Sequence, residues 1–261
     1  MTGITFEAAG RRYRANTSTG RSLAIRLDFG GEQPSFFGAP PAQKETFAAG
    51  GFVGDTRSGG SCNVGVYRLN PHCNGTHTEC IGHIVDDDIT MADLDVPAII
   101  PATLVTIDTK GAPAINLDHV QDALRQWREE AFHRALIIRT LPNEIGKQSQ
   151  HYDSSKPPPY LHAAAARLIR DADVEHLLID LPSLDAMDDE ALTAHGIFWG
   201  LPSGSRSRAK ATHPQATVTE MIYAPNEISD GYYLLNLQVP AFATDAAPSR
   251  PMLLPIEAVA Y

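Results

Sequence analysis

The chain has 261 residues, 43% of them hydrophobic and 20% charged, enough apolar mass for one sizeable core. Its 21 basic and 31 acidic residues leave a net charge of −10, which argues against a general nucleic-acid binder, because such a protein needs a basic face to neutralise phosphates. No apolar run approaches the ~18 residues of a membrane-crossing helix, no basic segment followed by an apolar run opens the chain, and three cysteines suit a disulfide framework poorly, so a cytoplasmic protein with no membrane partner is expected.

Residues 1–60 are rich in Gly, Ser, Thr and Pro, with a short β-like run at Leu23–Phe29 and turns at Gly50-Gly51 and Gly59-Gly60. The segment 63–70 alternates in part and predicts a strand. Apolar residues dominate 96–108, with a strand over 102–107. Asn116 or Asp118 then caps a helix, since Val120, Leu124, Trp127 and Ala131 recur at helical spacing. Ala135–Arg139 has the composition of a buried strand. Residues 146–159 end in three prolines and predict a loop. An Ala-rich helix over 162–171, a buried strand over 174–181 and a short helix over 188–195 follow. Residues 202–214 form a polar, basic loop, and two strands, 216–223 and 232–242, come last. Strands alternate with helices in the middle and dominate both ends, which predicts a mixed α/β domain, one unit over 1–261.

The stretch from His72 to His83 carries three histidines, Glu79 and two cysteines. All three residue types bind transition metals. On an extended backbone alternate residues share a face, so Cys73, His77, Glu79 and His83 point one way. His77 and Glu79 then supply two ligands of a catalytic divalent ion. Strict alternation gives Cys73 as the third, while a bulge or turn at Asn74-Gly75 brings in His72 instead. Thr76 and Thr78 face away and can orient neighbours. Cys80 falls opposite Cys73, so no zinc knuckle forms. His83 sits where an imidazole can move protons near neutral pH. His119, His151, His162, His176 and His213 have no ligand-spaced partners, which fits surface or capping roles, and His133 reads as a helix C-terminal residue favoured by the macrodipole. Asp86-Asp87-Asp88 reads as a solvated acidic turn, Asp180 and Asp185 flank a strand-end turn, and Phe198 and Trp199 read as core.

At these residues the sequence resembles the metal-dependent cyclase family, which includes bacterial kynurenine formamidase and isatin hydrolase. The family pattern is His-x-Gly-Thr-His-x-Asp-x-Pro-x-His. Gly75-Thr76-His77 and His83 fit it directly, Glu79 replaces the Asp, Ile81 replaces the Pro, and the first His aligns to Cys73 without gaps or to His72 with one inserted residue. His72 is favoured, because Pro71-His72 closes a strand and an imidazole suits a hydrolytic ion. Residues 135–140, 179–185, 193–195, 218–221 and 245–251 resemble later family motifs in the same order.

The resemblance implies a swivelling β/β/α-type domain with a mixed sheet, a Zn2+ or Mn2+ ion and a homo-oligomer. It also implies hydrolysis of a C–N amide bond, in an N-formyl amine or cyclic amide (lactam), by a metal-activated water. His72, His77 and Glu79 would hold the ion, His195 and Glu220 would complete a second metal site or orient the first, and His83 would be catalytic. The departures at Cys73 and Glu79 motivate an alternative, a catalytically silent member that binds a metabolite or a partner. Lyase chemistry on the same ion is a further reading.

Overall fold

A computed structural model describes residues 3–259. Its main sheet has eleven strands among the described residues, in the order Gly3–Ala8, Arg11–Asn16, Met252–Val259, Gly231–Asn236, Ile100–Asp108, Ala135–Leu141, His176–Ile179, Thr217–Glu220, His77–Glu79 and Ala246–Pro248, with Arg21–Ser22 paired to Met252–Val259. The four strands from Ile100–Asp108 to Thr217–Glu220 are parallel, and antiparallel strands flank them on both sides.

Those parallel strands are adjacent in space in chain order. Right-handed crossovers that always step the same way put their helices on one face of a sheet. Leu117–Leu124, Ala163–Asp171 and Thr193–Phe198 accordingly share one core with Val105, Ile107, Leu136, Ile138, Leu177, Ile179 and Val218. The alternate residues Leu104, Ala135, Ile137 and Leu178 pack on the opposite face against Leu23, Ile222, Ala224, Leu235 and Leu253. Both faces are covered, which is why 135–141 has no polar alternation.

The mixed α/β class and the buried strands agree with the sequence reading, and several boundaries move. The run Leu23–Phe29 forms no strand beyond an isolated bridge from Ala24 to Ile222. The first long helix stops at Leu124 because its remaining turns are taken up by a bend and a 3-10 turn, Glu130–Phe132, and His133 instead approaches the Trp127 carbonyl through Nε2 (2.8 Å). The short helix begins at Thr193, since Asp189 accepts from Ala191 N and Thr193 N and holds 188–192 as a turn. The last predicted strand ends at Asn236, ahead of Pro240, which cannot donate to a ladder. The hairpin Gly3–Asn16 and the strand Met252–Val259 went unread in the sequence. No helix among the described residues is long and apolar enough to cross a membrane.

Residues 43–68 stand apart from this sheet as two small two-stranded pairs, Gln43–Thr46 with Gly65–Arg68, which leaves Val66 and Tyr67 exposed, and Ala48–Ala49 with Phe52–Val53.

Candidate metal centre

The chain from His72 to His83 is not one extended segment. Pro71–Asn74 is a single helical turn, with Asn70 capping it by accepting from His72 N. Gly75 then adopts φ +155° and ψ −164°, a region open essentially to glycine alone, and turns the backbone into the strand His77–Glu79. Cys80 is followed by a 3-10 turn, Ile81–His83. The alternation argument therefore holds for His77 and Glu79 only. Cys73, on the helical turn, packs among Ile25, Phe36, Tyr152 and Met221 instead of facing the site. Burial raises its thiol pKa, with Glu220 adding to the shift. His72 faces the site in its place.

Strand pairing brings the second half of the site into register. His77 lies opposite Glu220, and Glu79 opposite Val218. His77, Glu79 and Glu220 thus project from the helix-bearing face of the sheet, as Val218 does. Glu220 is the last residue of a parallel strand, and carboxyl ends of such strands are where α/β sheets commonly build sites. Met221, next in the chain, is held at φ +51°. Thr76 helps fix that strained residue: its hydroxyl donates to Met221 O (2.5 Å) and accepts from Ile25 N (2.8 Å). Thr78, on the other face, meets Thr219 and Ser249 at 2.8 Å each.

His195 reaches the same point from the helix Thr193–Phe198. Its Nε2 lies 2.9 Å from Glu79 Oε1 and 3.4 Å from Glu220 Oε1. His77 Nε2 lies 3.5 Å from Glu220 Oε2 and 4.0 Å from Glu79 Oε2, while His72 Nδ1 lies 3.0 Å from Glu79 Oε2. His83 Nε2 stands 4.0 Å from that same oxygen. All five residues expected to ligate, and His83, therefore meet in one place. Ligand-capable atoms of His72, His77 and Glu79 lie within 4.8 Å of one another, as do those of Glu79, His195 and Glu220, and Glu79 belongs to both groups.

Outside contacts fix which atoms face inward. His77 Nδ1 is 2.9 Å from Gly75 O, an acceptor, so this nitrogen carries the proton and Nε2 keeps its lone pair. His195 Nδ1 likewise donates to Asp185 Oδ2 (2.6 Å). Asp185 also accepts from the backbone N–H groups of Ala194 and His195, so helix start and imidazole are held by one carboxylate. Glu220 Oε1 accepts from Leu184 N at 2.8 Å. Buried with no hydrogen-bond partner are His77 Nε2, His195 Nε2 and both carboxylate oxygens of Glu79. Buried polar atoms are rarely left without well-directed hydrogen bonds, and four of them gathered around the Glu79 carboxylate fit a bound cation.

The charges agree. Burial pushes the Glu79 and Glu220 carboxyls up, but neighbouring imidazoles outweigh it, His83 and His195 at Glu79 and His195 and His77 at Glu220, and both end below the ordinary value. Burial pulls His72 down, yet Asp245 and Glu79 raise it to about 10, and Glu79, Asp185 and Glu220 raise His195 well above its ordinary value. Without an ion, protons on these rings balance the buried carboxylates, and a divalent cation can replace them.

Asp245 and Asp185 were not among the expected site residues. Both lay inside family-like motifs, at the closing turn and the strand-end turn, but nothing in their spacing tied them to an imidazole. Asp180, the other acid of the strand-end turn, accepts from Thr140 and Lys147 and does not enter the site. Trp199 is core, its indole N–H donating to Ala216 O (2.8 Å). His119 and His162 cap helices, accepting from the backbone N–H groups of Asn116 and Ala164. Asp87, in the acidic turn, accepts from Arg208 N of the basic loop.

A family model described as "Putative cyclase" matches residues 12–186, a span that includes His72 to His83 and ends before His195, Glu220 and Asp245. A kynurenine formamidase from Bacillus mycoides (strain KBAB4) is 25% identical over 199 residues, covering 76% of this chain and 82% of that protein. The kynurenine formamidase from Bacillus anthracis is 26% identical over 198 residues with the same coverage. Among solved structures, isatin hydrolase A from Ralstonia solanacearum matches with a TM-score of 0.66 at 13% identity, over 90% of this chain and 91% of that one. A predicted metal-dependent hydrolase from Bacillus stearothermophilus matches with a TM-score of 0.58 at 15% identity, over 90% and 98%. At these identities the structural likeness carries the fold.

Proposed function

The chain belongs to the cyclase family, and on that footing we propose that it is a metal-dependent hydrolase of a C–N amide bond, with a small N-formyl amine or lactam as substrate. The observation that carries this reading is that His77 Nε2, His195 Nε2 and the two Glu79 oxygens are buried, make no well-directed hydrogen bond, and crowd together around the Glu79 carboxylate at 2.9–4.0 Å. The names of the relatives support the amide bond, and the donor set of imidazoles and carboxylates suits Zn2+ or Mn2+.

His72, His77 and Glu79 would hold one ion, and Glu79, His195 and Glu220 could share it or hold a second. A divalent ion supplies a Lewis acid that acidifies water and polarises a carbonyl. The chain's own groups do the rest. Glu220 is locked by Leu184 N and His195 by Asp185, so neither must reorganise during the reaction. His83 is one of the partly exposed members of the cluster, with its Nε2 turned toward Glu79. It can take a proton from the attacking water and return it to the nitrogen that leaves as the C–N bond breaks.

A mostly apolar cavity of about 620 Å3 is lined in part by Phe37, Pro157, Tyr160 and Met187, and none of the candidate ligands lines it. Met187 follows Asp185 by two residues and also packs against the cluster that contains Cys73. A cavity of this size and lining suits an aromatic substrate body.

Assay of N-formyl aromatic amines and cyclic amides, with and without added Zn2+ or Mn2+, tests the reading. Metal-stimulated release of amine and acid is expected, with oxygen from labelled water in the new carboxylate. A chain that takes up metal yet cleaves no amide would refute the hydrolase assignment, and the absence of label would favour lyase chemistry.

A further inference from the structure

We propose that Asp245 is a positioning residue that orients two imidazoles at once, so that His72 meets the ion through Nδ1 while His83 keeps Nε2 free for proton transfer. This rests on the metal-dependent reading above. Asp245 Oδ2 lies 2.9 Å from His72 Nε2 and 3.2 Å from His83 Nδ1. A carboxylate oxygen only accepts, so both of those ring nitrogens must donate. A nitrogen that donates has no lone pair for a cation, and each ring is left with its other nitrogen. For His72 that is Nδ1, 3.0 Å from Glu79 Oε2, and for His83 it is Nε2, 4.0 Å from the same oxygen.

The two rings stack with centroids 4.4 Å apart and planes 29° from parallel, as a shared acceptor on one side and a shared target on the other require. His72 is thereby set opposite to His77 and His195, which give their Nδ1 protons to Gly75 O and Asp185 and turn Nε2 inward. The backbone holds Asp245 independently of this work. Its carbonyl accepts from Cys80 N (2.9 Å), and the strand it opens pairs with His77–Glu79. The side chain is therefore carried by the same piece of sheet that carries Glu79. One carboxylate thus ties the first ligand to the proton-transfer base, and displacing it disturbs both.

The test uses the full chain loaded with Cd2+ and read by NMR. Coupling from the ion reaches both ring-carbon protons of an imidazole bound through Nε2, but chiefly Hε1 when it is bound through Nδ1. The expected pattern is Hε1 coupling alone for His72 and both couplings for His77. Asp245→Asn should lower Cd2+ affinity and the kcat of the Zn2+ or Mn2+ enzyme each by about 10- to 100-fold, the range typical for partners of metal-binding imidazoles. KM and the melting temperature should change little, because the Cys80 contact is to backbone. Asp245→Glu should recover part of both losses.

Nε2 coupling at His72, or an Asp245→Asn variant with unchanged affinity and unchanged kcat, overturns the proposal. If that variant fails to fold, the wild-type coupling pattern still decides. A wild-type chain that takes up no Cd2+ removes the metal-dependent reading and this proposal with it, whereas normal uptake with Nε2 coupling at His72 removes this proposal alone.

Discussion

His72 and Cys73 are adjacent in the chain and belong to different parts of the molecule. His72 Nδ1 stands 3.0 Å from the Glu79 carboxylate, whereas Cys73 is buried against Ile25, Phe36, Tyr152 and Met221. A helical turn at Pro71–Asn74 separates them, since successive residues there point about 100° apart around the axis. The gapless alignment to the family pattern picks the thiol, and the fold picks the imidazole.

Exchange of these two residues should separate binding from packing. His72→Ala is expected to cost at least 10-fold in Zn2+ affinity and to abolish most activity, with a small change in stability because the ring is partly exposed. Cys73→Ala should leave Zn2+ stoichiometry and kcat near wild type and cost about 1 kcal/mol of stability through lost packing. Chelator competition and denaturant titration read the two effects. A Cys73→Ala chain that loses its metal would show that the thiol, not His72, is the ligand.

Asp185 offers a second separation. It accepts from His195 Nδ1 and from two backbone N–H groups at the start of the short helix. Asparagine at 185 has nearly the same shape but can offer only one accepting oxygen. Asp185→Asn is expected to lower metal affinity and kcat by about 10- to 100-fold and to destabilise the fold by about 1–3 kcal/mol, as buried donors lose their partner. Isothermal titration with Zn2+ and thermal unfolding of the metal-free chain measure the two consequences. Equal metal affinity in variant and wild type would confine Asp185 to capping.

Part of this candidate site is legible in the sequence because three of its candidate ligands, His72, His77 and Glu79, are of rare types in a short span. His77 and Glu79 needed nothing beyond period-two alternation, and Ala135–Leu141 announced itself as a strand buried on both faces. What escaped reading depends on contacts distant in sequence. Asp245 meets His72 across 173 positions, and a carboxylate in the stretch 243–248 carries no local mark of that meeting. The hairpin Gly3–Asn16 is the exception, because it does alternate at period two, Ile4, Phe6 and Ala8 with Thr5 and Glu7, then Tyr13 and Ala15 with Arg12 and Arg14, and that strand signal is local. The helix expected over 188–195 begins late because Asp189 and Leu192, the latter at φ +49°, build a turn first.

Removing the ion should consume protons and restoring it should release them. His72 is raised to about 10, so without metal its ring is protonated at neutral pH, and the carboxylates around His195 shift that ring in the same direction against its burial. A coordinating imidazole must be neutral, so loading displaces a proton from His72, and affinity for Zn2+ should rise with pH through the range where that proton leaves. Calorimetric titrations in buffers of different ionisation enthalpy read the proton count directly. A count near zero would mean that the rings are already neutral or do not bind. Prolonged dialysis against a chelator should abolish hydrolysis, and added Zn2+ or Mn2+ should restore it.

Acid stability of the fold turns on a histidine remote from this chemistry. His176 lies in the strand His176–Ile179, buried, its Nδ1 2.8 Å from Thr217 Oγ1 and its Nε2 without a partner. Burial is the main cause that lowers its pKa from 6.5 to about 4, with Arg134 adding to the effect and Glu175 opposing it. The native state therefore holds this ring neutral at pH values where the unfolded chain protonates it. Stability from this group is complete above about pH 6.5 and falls as the pH drops toward 4, by about 3 kcal/mol in all at 1.36 kcal/mol per unit. Denaturant titrations of metal-free wild type and His176→Asn at pH 7 and pH 5 isolate it, because acid-labile carboxylates elsewhere contribute equally to both. The variant should be the less stable at pH 7 and should lose less between the two pH values. Parallel losses in the two chains would show that the imidazole is solvated or finds a hydrogen-bond partner for its second proton, and the strand would then owe none of its acid sensitivity to residue 176.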